Sequence, residues 1–211
     1  MRLPVIILGA GGHAKVLIDA LIKTSAVIAG IVDPAPALVG AKILGVPVLG
    51  GDGVVNEFPP SEAKLVNGLG SIGLPVKRKQ LFEKFKSICY SFRTVIHPSA
   101  IVALDVVFGE GTQVMAGVVI QPGSRIGLNC IINTRASLDH DCVIGDHVHI
   151  SPGVTLSGGV TIGACSHIGT GATVIQGITI GSGCLVAAGA VVIKDIYDGA
   201  IVRGIPAREV Q

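Results

Sequence analysis

The residues able to move a proton or hold an anion fall in three places. His140 and Asp141 are consecutive. An imidazole titrates near neutral pH, and an adjoining carboxylate makes it more basic, so the pair could take a proton from an attacking nucleophile. Consecutive residues on a flat strand face opposite ways, so the two meet only if the backbone turns there; without that turn they are an ordinary solvated pair. Gly9-Ala10-Gly11-Gly12-His13-Ala14 fits G-x-G-x-x-A, a loop whose glycines let a diphosphate approach backbone N–H groups at a helix start. Asp33 follows where a ribose or base could be read, or where a turn needs a cap. Further on stand His147, His149 and His167, and imidazoles gathered across a subunit boundary are one way to hold zinc.

Two kinds of element must position these groups. In residues 1–92, Val5–Leu8 reads as a strand and Gly9–Gly12 as a turn. His13 to about Lys23 reads as a helix with Val16, Leu17, Ala20 and Leu21 on one face. Val27–Val32 and Ala63–Val66 read as further strands, and Val76–Lys86 as a helix with Leu81, Phe82 and Phe85 inward. This is a Rossmann-like βαβ unit with about half the elements of a full dinucleotide fold. It is too short for a nicotinamide cofactor spread over two mononucleotide halves. Lys77-Arg78-Lys79 reads as the solvated side of the second helix, with Arg78 alternatively reaching a phosphate.

From Ile96 to Val192 every sixth residue is large and apolar, and the residue four places later is mostly small or β-branched. Glycine recurs directly after the aliphatic at 109, 127, 145, 163, 169 and 181, where it is expected to relax the turn backbone. A six-residue beat fits neither a helix nor a simple strand. It fits a three-sided coil, all-β and parallel, with the aliphatic pointing inward on each side and the small residue in the corner. Three sides make about 18 residues per coil, each coil rising roughly 4.8 Å and pairing with the next. His149 then stacks beneath His167, Asn133 beneath Ser151, and Gly158 stands one coil above His140, leaving room beside the imidazole. The expected division is 1–92 for the α/β unit and 93–211 for the coil.

The bulk numbers exclude several classes. The chain has 211 residues, 30 of them Gly, with 3% aromatics and no Trp, a composition that suits many small, similar core sites. A formal net charge of +2 argues against a broad nucleic-acid footprint. The five cysteines are odd in number and lack CxxC spacing, which argues against a disulfide framework or a zinc finger. Met1-Arg2-Leu3-Pro4 leads into a short apolar run that reads as neither a signal peptide nor a membrane span, and the expectation is a cytoplasmic protein.

The hexads resemble the hexapeptide-repeat acyltransferases, and the tail Gly204-Ile205-Pro206-Ala207-Arg208 is similar to the end of that family. Over nearly its full length the chain resembles one branch: the bacterial sugar acetyltransferases of UDP-di-N-acetylbacillosamine synthesis, with relatives acting on perosamine nucleotides or sialic acid. The shared residues are Gly9–His13, Asp33-Pro34, Ile96-His97-Pro98-Ser99-Ala100 and, most specifically, Asn133 through Gly145. The resemblance implies a left-handed β-helix, a homotrimer with active sites between subunits, acetyl-CoA as cosubstrate and no metal. It implies His140 as base and Asp141, where the family often has Glu, as the group raising its basicity. It assigns Gly11, Gly12, His13, Asp33, Pro34, Gly70 and Asn133 to the nucleotide sugar. It assigns His149, Gly158, Thr170 and Ala188 to acetyl-CoA. After Gly70 a short insertion in Ser71–Val76 blurs the correspondence, and no contact is assigned there.

The function so implied is N-acetylation of the 4-amino group of a UDP-linked sugar. Three other readings share the scaffold: O-acetylation of a sialic acid, a zinc hydratase built on the histidines, and a non-catalytic nucleotide-binding scaffold.

Overall fold

The structure is a computed structural model that describes residues 3–210; Met1 and Arg2, part of the sequence reading of the chain start, lie outside it. The first part is a five-stranded sheet: β1 (Val5–Leu8), β2 (Ile28–Val32), β3 (Lys42–Ile43), β4 (Val46–Gly50) and β5 (Lys64–Asn67), in the order β3-β4-β2-β1-β5. All pairs are parallel except β3 with β4. Two helices flank it, α1 (Gly12–Lys23) and α2 (Val76–Ser87). β1 is wholly buried, as an apolar run in the middle of a parallel sheet should be.

The β3–β4 hairpin was not legible in the sequence. Its turn is Leu44-Gly45, both in the left-handed region (φ 50° and 84°), as a two-residue hairpin requires. A leucine at the first place hides that signal, which is usually carried by Asn or Asp. The inner face of α1 also differs from expectation. Ala14, Leu17, Ile18, Ala20 and Leu21 are buried, whereas Val16 is 42% exposed.

From residue 95 the chain winds into a three-sided parallel coil. Up to Val192 each two-residue strand pairs with the strand 18 positions later, for example Ile131 with His149 and His149 with His167, and at the end of the coil the step shortens to 16, Leu185 pairing with Ile201. Face 1 holds the strands at 95, 113, 131, 149, 167 and 185 and is closed by Ile201–Arg203 and Arg208–Glu209. Face 2 holds those at 101, 119, 137, 155, 173 and 191, and face 3 those at 107, 125, 143, 161 and 179. The sixth-residue aliphatics from Val114 to Val192 are buried, and the residues four places later, from Thr112 to Ala190, close the corners behind them. Burying each such aliphatic contributes roughly 1.5–3 kcal/mol, so the ladder is the coil's own core. Ile96, read as inward, is 37% exposed because no coil lies beneath it.

The repeating glycines act differently from the expectation. Those after the aliphatic have no positive φ; a Cβ on Gly109 would come 2.5 Å from the Gly127 carbonyl carbon, so glycine there lets successive coils approach. The left-handed residue lies two places further on. It is Gly at 111, 117, 123, 153, 159, 171, 177, 183 and 189, but Asn129, Arg135, Asp141, His147 and Cys165 occupy the same corner place with φ of 51° to 61°.

The α/β sheet docks on face 1. Phe92 adds a parallel bridge to Leu65 at the sheet edge, and Met115 and Val95 join the core beneath α1. No helix among the described residues is long and apolar enough to cross a membrane.

Candidate active site

His140 and Asp141 stand on the edge between faces 2 and 3, after the Ser137–Leu138 strand and before the Val143–Ile144 strand. The backbone does turn there. Asp141 has φ 59°, which swings its side chain round to meet its neighbour, and His140 Nδ1 lies 2.8 Å from Asp141 Oδ2. The carboxylate can only accept, so Nδ1 carries the proton and Nε2 is left as the acceptor. The hydrogen bond to Asp141, helped by the charges of Asp139 and Asp141, pushes the His140 pKa up from 6.5 against a smaller desolvation effect. Nε2 faces Gly158, where a Cβ would fall 2.5 Å from it. The 18-residue stacking thus puts a residue without a side chain against the free nitrogen. Both members of the pair are exposed.

A cleft of about 720 Å³ opens elsewhere, between the α/β unit and face 1. Its walls include Gly11, Gly12 and His13 at the start of α1, Asp33 after β2, Gly70 and Ser71 after β5, and Asn133 and His149 from the coil. Val16, misread as core, lines it as well. Helix α1 has Gly11 as its N-cap, with no side-chain cap, so its first N–H groups are free to meet an anion. A Cβ at Gly11 or Gly12 would meet nothing within 4 Å, and neither has a positive φ; the protein's own packing does not require glycine there. Asp33 accepts from Ala10 N–H (2.8 Å) and Ala35 N–H (2.9 Å), so its carboxylate holds the glycine loop against the β2 turn. Pro34 is exposed beside it and does not line the cleft.

The cleft histidines are neutral. Burial, then the field of Arg78, pushes His13 down to about 4 against the opposing hydrogen bond to Gln113. Burial, then the fields of His167, His13 and Arg78, pushes His149 down to about 3. Buried Gln113 bridges His13 (2.7 Å) to the carbonyl of Asn67 (2.8 Å). His149 and His167 meet edge to face, ring centroids 4.8 Å apart. Among the described residues no three His, Cys, Asp or Glu side chains converge as a metal site would need. His147 is turned away against Phe82 and Asn129.

Arg78 corrects the sequence reading of a solvated basic run. It is 1% exposed, and burial brings its pKa down to about 9. Its guanidinium donates to the carbonyls of Asn67 (2.9 Å), Leu69 (2.7 Å) and Asn129 (3.3 Å). It therefore pins the loop that carries Gly70 to the corner of the coil. A basic run on an otherwise polar helix gave no signal of this, because the acceptors come from distant parts of the chain.

Within one chain the expected residues form three groups. Gly158 accompanies His140 and Asp141 on the 2–3 edge. Thr170 and Ala188 stack one above the other on the 1–2 edge, with Gly189 N–H bonded to the Thr170 carbonyl. The cleft residues gather on the face 1 side. Cys130, Cys142 and Cys184 are buried in coil corners, and burial raises all three thiols.

Residues 4–85 match the family described as the PglD N-terminal domain. The chain is 41% identical to PerB from Caulobacter crescentus, solved with CoA and GDP-perosamine, covering 99% of this chain and 97% of that one with a TM-score of 0.90. It is 36% identical to the acetyltransferase domain of PglB from Neisseria gonorrhoeae, solved with acetyl coenzyme A, covering all of both chains with a TM-score of 0.90. A GDP-perosamine N-acetyltransferase of Escherichia coli O157:H7 matches over 69 residues at 36% identity, which is 33% of this chain and 31% of that relative.

Proposed function

The chain belongs to the nucleotide-sugar N-acetyltransferases built on a left-handed hexapeptide-repeat β-helix, and we propose that it acetylates the 4-amino group of a nucleoside-diphosphate sugar from acetyl-CoA. The observation that carries this reading is the His140–Asp141 couple, with its free Nε2 beside the bare Gly158. In the proposed reaction the amine nitrogen attacks the thioester carbonyl carbon while His140 Nε2 takes the amine proton. The tetrahedral intermediate collapses, the C–S bond breaks, and CoA leaves as a thiolate that is then protonated. Asp141 stabilises the imidazolium formed on the way.

Gly11, Gly12, His13, Asp33, Pro34, Gly70 and Asn133 are proposed to hold the nucleotide sugar, with the diphosphate over the start of α1. His149, Gly158, Thr170 and Ala188 are proposed to hold acetyl-CoA. Gly158 and the base lie on the 2–3 edge while the other residues of both sets lie toward face 1, and His140 is exposed. The proposal therefore includes a homotrimer whose active sites each combine the 2–3 edge of one subunit with the cleft side of the next. The functional halves are proposed as 1–92 and 93–211.

The sequence resemblance favours a UDP-linked 4-amino sugar. Identity of 41% to a protein solved with GDP-perosamine favours a GDP-linked one as the second reading. The test is release of free CoA from acetyl-CoA in the presence of UDP- and GDP-linked 4-amino sugars, with sialic acid as the O-acetylation arm. Turnover of a 4-amino nucleotide sugar that is lost in His140→Ala is the expected result. Turnover of sialic acid alone, or a dilute monomer with full activity, would overturn the reaction or the shared site respectively.

A further inference from the structure

Ser71 lies where the sequence offered no correspondence, on the loop from β5 to α2. Its Oγ is 2.7 Å from His149 Nδ1, joining the α/β unit to the coil. The other ring nitrogen, Nε2, is 3.2 Å from Asn133 Nδ2. The orientation of that amide is set, because Asn133 Oδ1 accepts from Thr134 N–H at 2.8 Å. The amide nitrogen therefore donates, and His149 Nε2 accepts. Burial keeps the imidazole neutral, so its one proton sits on Nδ1 and is donated to Ser71 Oγ. Both nitrogens of His149 are then engaged within the chain. The Ser71 hydroxyl proton has no acceptor among the described residues, and Ser71 lines the same cleft as Gly11, Gly12, His13 and Asp33.

We infer that Ser71 is a further specificity-determining residue: its hydroxyl, oriented through Asn133 and His149, donates to an acceptor oxygen of the nucleotide sugar in the cleft. This rests on the function proposed above. Each donor in the row polarises the next, which strengthens the last bond offered to a ligand. It also makes His149 a positioning residue for Ser71 in the free protein.

The test uses the full-length chain and three variants, Ser71→Ala, Ser71→Thr and Ser71→Val. Titration with a UDP- or GDP-linked 4-amino sugar should weaken by about tenfold in Ser71→Ala and Ser71→Val, the size expected for one lost hydrogen bond. Ser71→Thr, which keeps the hydroxyl, should stay near the parent, and the KM for acetyl-CoA should move less than the nucleotide-sugar affinity. A loss shared by the bare nucleoside diphosphate assigns the contact to the diphosphate; a loss confined to the conjugate assigns it to the sugar. Equal affinity in all variants, or a loss that falls on the acetyl-CoA KM alone, overturns the inference. A second arm needs no turnover: ¹⁵N signals of the His149 ring should show a protonated Nδ1 in the parent and change in Ser71→Ala but not in Ser71→Thr. An unchanged Ser71→Ala spectrum overturns the link itself. If no amino-sugar nucleotide is acetylated while the ring signals respond as expected, the failure belongs to the proposed function and not to this contact.

Discussion

The imidazole of His140 rests against the bare α-carbon of Gly158, one coil above it. An added methyl would fall 2.5 Å from Nε2 and 2.6 Å from Cε1, so the ring would have to leave its place. The ring is on the surface and free to do so, which separates catalysis from stability at this position. Gly158→Ala should lower kcat on the order of 10²-fold, the effect of a displaced catalytic group, with a melting temperature close to the parent. Steady-state kinetics and a thermal melt check both halves.

The carboxylate of Asp141 raises the His140 pKa mainly through their hydrogen bond. As the proposed general base His140 works only when deprotonated, so on that proposal the acid limb of the pH–rate profile reports this group. Asp141→Asn keeps a residue that tolerates φ 59° but removes the charge. The acid limb should move to lower pH, and the plateau should fall by about tenfold because the base is weaker. A limb that stays put would remove Asp141 from the mechanism.

Buried Arg78 donates to three carbonyls, those of Asn67, Leu69 and Asn129. Asn67 O keeps its bond from Gln113, so loss of the guanidinium strips the donor from the Leu69 and Asn129 carbonyls, at about 1–3 kcal/mol each, against the relief of removing a buried charge that has no acidic partner within salt-bridge distance among the described residues. Arg78→Met should therefore destabilise the fold by about 2 kcal/mol in denaturant unfolding. It should also weaken nucleotide-sugar binding, because the Gly70 loop loses its anchor.

His13 and His149 have folded pKa values near 4 and 3, against 6.5 for an ordinary imidazole. With the folded values depressed, the unfolded chain takes up protons first as pH falls. The stability these groups contribute is complete above about pH 6.5 and is lost as pH drops toward 4. The melting temperature should fall between pH 7 and pH 5, and Ser or Asn at both positions should flatten that slope.

The architecture was open to reading because the coil is locally periodic. An inward aliphatic every sixth residue needs no knowledge of distant partners, and once the coil length is 18 the stacking of Gly158 on His140 and His167 on His149 follows by addition. The glycine loop before α1 announces itself for the same reason: its signal lies within six consecutive residues. What the sequence could not decide depends on contacts between remote segments or on single backbone angles. Asp141 reaches His140 because a non-glycine residue adopts the left-handed corner conformation, which residue type alone does not reveal. Arg78 is buried, and Ser71 meets His149, because the α/β unit docks on one face of the coil. That docking sums many weak apolar contacts and a few buried hydrogen bonds between residues far apart in the chain, and no local pattern encodes where such a sum will be most favourable.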